Sequence, residues 1–182
     1  ANSFAAPERF TAERLTQSAF ALHQITLFER LDLSAGVRID DVEGVKPFVT
    51  ERLTAAYRLE ETGTKLRASL GTGAKAPSLY QQFSIYAPTR NGDPALRPER
   101  STGFDVGIDQ RLLGGALTLS GTVFRTKIKD LIDFDFTRGV PGPFGPRGQY
   151  INVARAGITG FEGGLDAVLW PDVVRLKGSY TS

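Results

Sequence analysis

Acid–base chemistry needs ionisable groups held close together, and in this chain the carboxylates Glu51, Glu60, Glu61, Asp105, Asp109, Glu162 and Asp166 are the candidates. Arg52, Arg58, Arg67 and Arg111 offer them a blander role, solvation and salt bridging. His23 is the only histidine, which argues against a histidine-based metal site and reads as a surface or rim residue. The run Gly71-Thr-Gly-Ala-Lys75 loosely suggests a phosphate loop, but its spacing fails and Pro77 stands where a helix would begin, so it reads as a strand end. With no cysteine, thiolate chemistry and disulfides are excluded. No catalytic, metal-binding or cofactor-binding constellation emerges, and the chain is read as a non-enzyme. The other candidates lie in two loops: Tyr80, Phe83, Tyr86 and Arg90 in one, Arg138, Phe144 and Arg147 in the other. Aromatic rings beside guanidinium groups can grip an anionic, partly aromatic ligand. Ordinary loop packing accounts for the same residues and stays open beside that reading.

The elements that must position these groups alternate with period two. Leu31, Leu33, Ala35, Val37 and Ile39 interleave with Asp32, Ser34, Gly36, Arg38 and Asp40, giving one apolar and one polar face. The pattern recurs through Arg52–Leu59, Leu66–Gly71, Gly103–Asp109 and Phe161–Leu169, and more weakly through Ala19–Leu27, Leu117–Val123 and Val173–Ser182. Together these predict an all-β, antiparallel up-and-down meander of about eight strands. Runs such as Arg30–Asp41 and Ala116–Phe134 reach the roughly 9 to 11 residues of a tilted bilayer-crossing strand. Connections alternate between short (Glu29–Arg30, Glu61–Gly63, Leu113–Gly115, Trp170–Asp172) and long (Asp41–Lys46, Lys75–Pro98, Asp135–Gln149). In a meander every second connection lies on the same rim, so tight turns gather at one end and loops at the other, as in outer-membrane barrels. Near the strand ends, Phe28, Tyr57, Trp170 and Tyr180 suit an interfacial girdle.

Two rivals share the alternation. A soluble carbohydrate-binding β-sandwich has shorter strands, around 5 to 6 residues, and a small complete barrel of structural or adhesive role has the same strand length. Composition narrows the field further. No stretch approaches the roughly 18 apolar residues of a membrane helix, and 22 Lys and Arg dispersed among 20 Asp and Glu leave no nucleic-acid footprint. One domain is expected from 182 residues without a compositional break. Ala1 to Arg14 lacks the apolar core of a secretory signal, so a signal is expected to have been removed or to lie outside the sequence.

Four ordered motifs go beyond pattern. Leu66–Tyr80 (Leu-Arg-Ala-Ser-Leu-Gly-Thr-Gly-Ala-Lys-Ala-Pro-Ser-Leu-Tyr) is followed by Gly92–Ser101 (Gly-Asp-Pro-Ala-Leu-Arg-Pro-Glu-Arg-Ser), Phe124–Ile132 and Tyr150–Glu162. Together they resemble the late barrel of TonB-dependent outer-membrane receptors, including vitamin B12 and ferric-siderophore transporters. Ala35–Asp40 resembles an earlier strand, so the likeness runs through nearly the whole chain from Ala19. One departure is Asp93, where the family usually has asparagine before the proline. The motif residues Pro77, Leu79, Tyr80, Pro94, Leu96, Pro98, Glu99, Asn152, Gly160 and Glu162 are read as mainly architectural, since proline and glycine act through the backbone.

The resemblance implies a plugged barrel of about 22 strands, of which residues 1–182 are expected to be a part without a plug domain, cut off at the C-terminus and unable to transport by itself. It further implies outer-membrane localisation, TonB-dependent uptake of a metal chelate such as a ferric siderophore, haem or cobalamin, and, as partners, lipid, a plug domain and TonB. An open sheet with unpaired edges is also expected to close on itself or to self-associate.

Overall fold

The computed structural model describes residues 11–182 except 87, 88, 140, 143, 144, 147, 154, 171 and 172. Eight long strands dominate it: β1 (Thr16–Leu27), β2 (Leu31–Val42), β3 (Phe48–Leu59), β4 (Thr64–Lys75), β5 (Glu99–Leu112), β6 (Leu117–Lys129), β7 (Arg155–Trp170) and β8 (Val174–Thr181). They form a single sheet in chain order, each strand antiparallel to its neighbours. Among the described residues β1 and β8 are its two edges.

Register carries the sequence pattern across the whole sheet. Leu66 opposes Ile108, Ala68 opposes Val106, Leu70 opposes Phe104, Val106 opposes Val123, and Val123 opposes Phe161, so one face is apolar from strand to strand. The intervening rows set Arg67 against Gly107 and Ser69 against Asp105. In a water-soluble sandwich the apolar face would be packed against a second sheet. Here Leu70, Val106 and Val123 are each about half exposed, and among the described residues the buried apolar side chains Val42, Phe48, Leu96 and Ile132, with Pro77 and Pro98, gather at the loop rim. A continuous, half-exposed apolar band on one long antiparallel meander fits the lipid-facing wall of a barrel rather than the short paired strands of a sandwich.

The rim of tight turns needs unusual backbone. Phe28 (φ 52°) and Glu29 (φ 58°) both occupy the left-handed region at the centre of a turn closed by Arg30 N–H donating to the Leu27 carbonyl at 3.1 Å, with three residues between the paired Leu27 and Leu31. Gly63 (φ 68°) closes the second turn, and a 3₁₀ turn at Leu113–Gly115 the third. At the fourth, Val173 N–H donates to the Trp170 carbonyl at 3.0 Å, while Pro171 and Asp172, part of the expected turn, lie outside the described residues.

Four expectations need correction. The run Ala116–Phe134 is not one strand, because β6 stops at Lys129 and Asp130 turns to φ 55°, a conformation that aspartate tolerates and that breaks the pleat. Ile132–Asp135 then pairs with Gln149–Asn152 in a separate ladder, so the long connection is 130–154 rather than Asp135–Gln149. Asp41 and Val42, expected in a loop, still pair with Gln17 and Thr16 at the end of β2. Glu51, grouped with the polar-face carboxylates, opposes Val37 and so stands on the apolar face.

Candidate functional site

On the polar face most carboxylates are already engaged. Arg58 meets Asp32 at 2.6 Å, Arg67 meets Asp109 at 3.3 Å and donates to the Thr122 hydroxyl at 2.6 Å, and the Ser69 hydroxyl donates to Asp105 at 2.6 Å. Toward the other edge Arg175 grips Asp166 at 2.5 Å. Of these groups Asp32, Arg67, Ser69 and Asp105, with Gln24 and Arg52, border an open groove of about 480 Å³. Carboxylates fixed by guanidinium and hydroxyl groups suit polar docking rather than proton transfer. Glu162 stands on this face opposite Thr122, and His23 stands on the other, exposed and opposite Ala35.

Glycine shapes both faces. A Cβ at Gly160 would lie 2.5 Å from Phe124 Cζ, so the phenyl ring of β6 covers the glycine of β7 directly opposite it. On the apolar face, a Cβ at Gly163 would meet the Phe161 ring at ordinary contact distance.

The long loops at the opposite rim from the tight turns are joined into one body. Pro77 has no N–H to donate and is fully buried, and the β4–β5 ladder ends just before it at Lys75–Glu99. Ser78 then caps the short helix α1 (Leu79–Phe83): its hydroxyl accepts from Gln81 N–H at 3.1 Å and the Gln81 side chain accepts from Ser78 N–H at 2.9 Å. Gln82, almost wholly buried, receives the Arg14 guanidinium, which also donates to the Pro77 carbonyl at 2.6 Å. Gly92 is required by close approach, since a Cβ there would lie 2.5 Å from the Gln82 backbone. At Asp93 the carboxylate accepts from Ala95 N–H at 2.8 Å, an acceptor role that asparagine and aspartate share, so this turn survives the departure from the family residue.

The second loop docks on the first through motif residues. Asn91 donates to the Gly148 carbonyl at 2.8 Å, and its own carbonyl accepts from Tyr150 N–H at 2.9 Å. Asn152 accepts from Arg97 N–H at 2.9 Å and donates to the carbonyls of Arg97 (3.0 Å) and Asp130 (2.7 Å). Arg97 pairs with Asp130 at 2.6 Å, and Glu99 binds Ile132 N–H at 2.9 Å with one oxygen and Lys75 at 3.4 Å with the other. Leu96 and Pro98 are buried in this seam, whereas Pro94 is exposed. Leu79 is half-buried within α1.

Across the joined loops runs a row of edge-to-face aromatic rings. Tyr80 and Tyr150 lie 6.1 Å apart between centroids, Tyr150 and Phe134 5.0 Å, Phe134 and Phe136 4.9 Å. The ends of the row, Tyr80 and Phe136, are 59% and 77% exposed. Arg138 follows Phe136, exposed and held by Asp135 at 3.4 Å. The Thr137 hydroxyl and N–H both donate to Asp135 and hold its carboxyl below the usual carboxylate range, with Arg138 adding to the effect. Burial, and secondarily Tyr80, push the Tyr150 phenol up.

Of the sequence candidates, the structure places Tyr80 and Arg138 at the two ends of this assembly. Phe83 is half-buried in α1 and no ring contact involves it among the described residues. Tyr86 and Arg90 sit on the backbone ladder Ile85–Tyr86/Thr89–Arg90, and Phe144 and Arg147 lie outside the described residues. Sequence reasoning missed Phe134, Phe136 and Tyr150 as site residues. The first was absorbed into an over-long strand, and the signal that could have found all three is their spacing around a Pro/Gly-rich loop.

A sequence model of the TonB dependent receptor-like β-barrel family matches residues 1–182. The vitamin B12 transporter BtuB of Vibrio vulnificus is 36% identical over 97 residues, 52% of this chain and 14% of the transporter. The siderophore receptor PirA from Pseudomonas aeruginosa superposes with a TM-score of 0.77 at 23% identity, over 93% of this chain and 35% of that one. A variant of the ferric enterobactin receptor from the same organism, solved with enterobactin, gives a TM-score of 0.79 at 25% identity, over 92% of this chain and 26% of that one. The chain thus spans about a third or less of the length of these relatives.

Proposed function

Because the chain belongs to the TonB-dependent receptor β-barrel family of the outer membrane, we propose that it forms one sector of the wall and mouth of a receptor importing a metal chelate of the siderophore, haem or cobalamin class. In this reading the apolar face meets lipid and the polar face meets a plug domain whose movement TonB drives. The joined loops receive the ligand at the mouth, where Tyr80, Phe136 and Arg138 present aromatic and cationic surface to an anionic chelate. The observation that carries the proposal is the clip at Asn91, Arg97 and Asn152, which fixes two loops as one rigid platform with the aromatic row across it. A platform ordered before binding loses less entropy when the ligand arrives.

The test is uptake of radiolabelled ferric siderophores, haemin and cyanocobalamin by cells with and without the gene. The expected result is loss of one ligand's uptake on deletion, and equal loss in wild-type cells treated with a protonophore. Unchanged uptake of every ligand, or uptake indifferent to the protonophore, would overturn the proposal. A non-transporting barrel of adhesive role would instead leave uptake intact and alter surface attachment.

A further inference from the structure

The apolar face does not stay apolar to its top. On β6 the outward positions read Leu117, Leu119, Gly121, Val123, then Arg125, Lys127 and Lys129. On β5 the same face ends in Arg100, directly opposite Lys129, and on β7 it begins with Arg155, also opposite Lys129. Three cations therefore stand in a row across three neighbouring strands at the loop rim, with two more below the middle one. All five are exposed, and no ion pair engages any of them among the described residues.

Like charges directly opposed in a sheet repel across about 5 Å, so the row needs counter-charge from somewhere. The wall itself does not supply it. The outward positions of β5, β6 and β7 hold no carboxylate from end to end; the outward carboxylates Glu51 and Asp41 stand away on β3 and β2, beyond Thr72 and Ala74 of β4. Of the loop acids just above, Asp130 is held by Arg97, and Asp133 accepts from Phe134 N–H. Within the row Gly157, opposite Lys127, leaves a recess in which a Cβ would meet nothing within 4 Å. At roughly 3.3 Å per residue the strand advances about 26 Å from Leu117 to Arg125 and about 40 Å to Lys129, about 20 and 30 Å of height at a tilt near 40°. The cations thus straddle the top of an outward apolar band about 25 Å tall, where hydrocarbon gives way to headgroups.

We propose that this outward basic row on β5, β6 and β7 is a binding site for the phosphate-bearing headgroup of a lipid in the outer leaflet, its acyl chains lying on the apolar band through Val106, Val123 and Phe161 beneath. Anionic headgroups supply the missing counter-charge at the right depth, and the recess at Gly157 admits a phosphate between Lys127 and Arg155.

The probe is diphosphoryl lipid A, titrated against protein extracted from outer membranes in non-ionic detergent, with retention read by native mass spectrometry. The expected result is retention about tenfold weaker in the R125Q/K127Q/K129Q variant, unchanged in the polar-face control R111Q, and weak in both wild type and variant for lipid A stripped of its phosphates. A measurement on the wild type alone stands beside it: raising salt from about 50 to 500 mM shortens the screening length severalfold and weakens retention of the diphosphoryl form. Equal retention of the phosphate-free lipid, equal retention by the triple variant, an R111Q loss as large as the triple variant's, or salt-independent retention overturns the site.

Discussion

The side-chain amide of Asn152 is bonded to both backbone groups of Arg97: its oxygen accepts from Arg97 N–H at 2.9 Å while its nitrogen donates to the Arg97 carbonyl at 3.0 Å. One side chain thereby imitates a β-partner for a residue 55 positions away, and the third bond, to the Asp130 carbonyl, closes the seam between the two loops.

Replacing Asn152 with aspartate keeps the shape and removes both donors, leaving a carboxylate facing two carbonyls. The expected cost is about 1 to 3 kcal/mol of local stability. Amide hydrogen exchange in the Ile132–Asp135/Gln149–Asn152 ladder should accelerate while the centre of β6 stays protected. Equal exchange in variant and wild type would show that the clip holds nothing.

At Gly160 a methyl group would sit 2.5 Å from both Phe124 Cζ and the Ser182 carbonyl oxygen. Overpacking of this kind costs about 1 to 3 kcal/mol, so G160A should lower the urea unfolding midpoint in detergent. G157A, where a Cβ meets nothing, is the matched control and should leave it near the wild-type value. Indistinguishable midpoints for the two variants would remove the Phe124–Gly160 packing from the account.

Asp135 titrates below its usual 3.8 because Thr137 and Arg138 favour the charged form. A depressed carboxylate contributes stability that is full above the unfolded value and is lost as pH falls through the folded one. The carboxyl ¹³C shift of Asp135 should therefore show a midpoint under 3.8, moving upward in Thr137→Val. A wild-type midpoint at or above the ordinary value contradicts the hydrogen-bond geometry.

Tyr80 and Phe136 end the aromatic row and carry its exposed surface. If the row receives ligand, Y80A and F136A should each weaken ligand affinity of whole cells about three- to tenfold, since a ring contact is worth roughly 0.5 to 1.5 kcal/mol. F83A, in the same loop but outside the row, should bind as wild type does. Loss in F83A equal to loss in Y80A points to general loop damage instead.

Alternation along Leu31–Asp40, Leu66–Gly71 and Gly103–Asp109 sufficed to place strands and faces, because side chains on a strand must point to opposite sides whatever the rest of the molecule does. Loop parity sufficed to put turns at one rim and loops at the other. The motifs sufficed to name the resemblance and to single out Pro77, Leu96, Pro98, Glu99 and Asn152; in the structure the first three are buried and the last two bond across the loops. What needed three dimensions were relations between strands and loops distant in sequence. Pairing register decided that Glu51 meets Val37, that Phe124 covers Gly160, and that Arg100, Lys129 and Arg155 stand abreast. Loop docking decided that Tyr80, Tyr150, Phe134 and Phe136 form one row. A local pattern fixes which way each side chain points from its own strand; which side chain it meets depends on the register and on the docking of segments dozens of residues apart, and no periodicity within one segment encodes either.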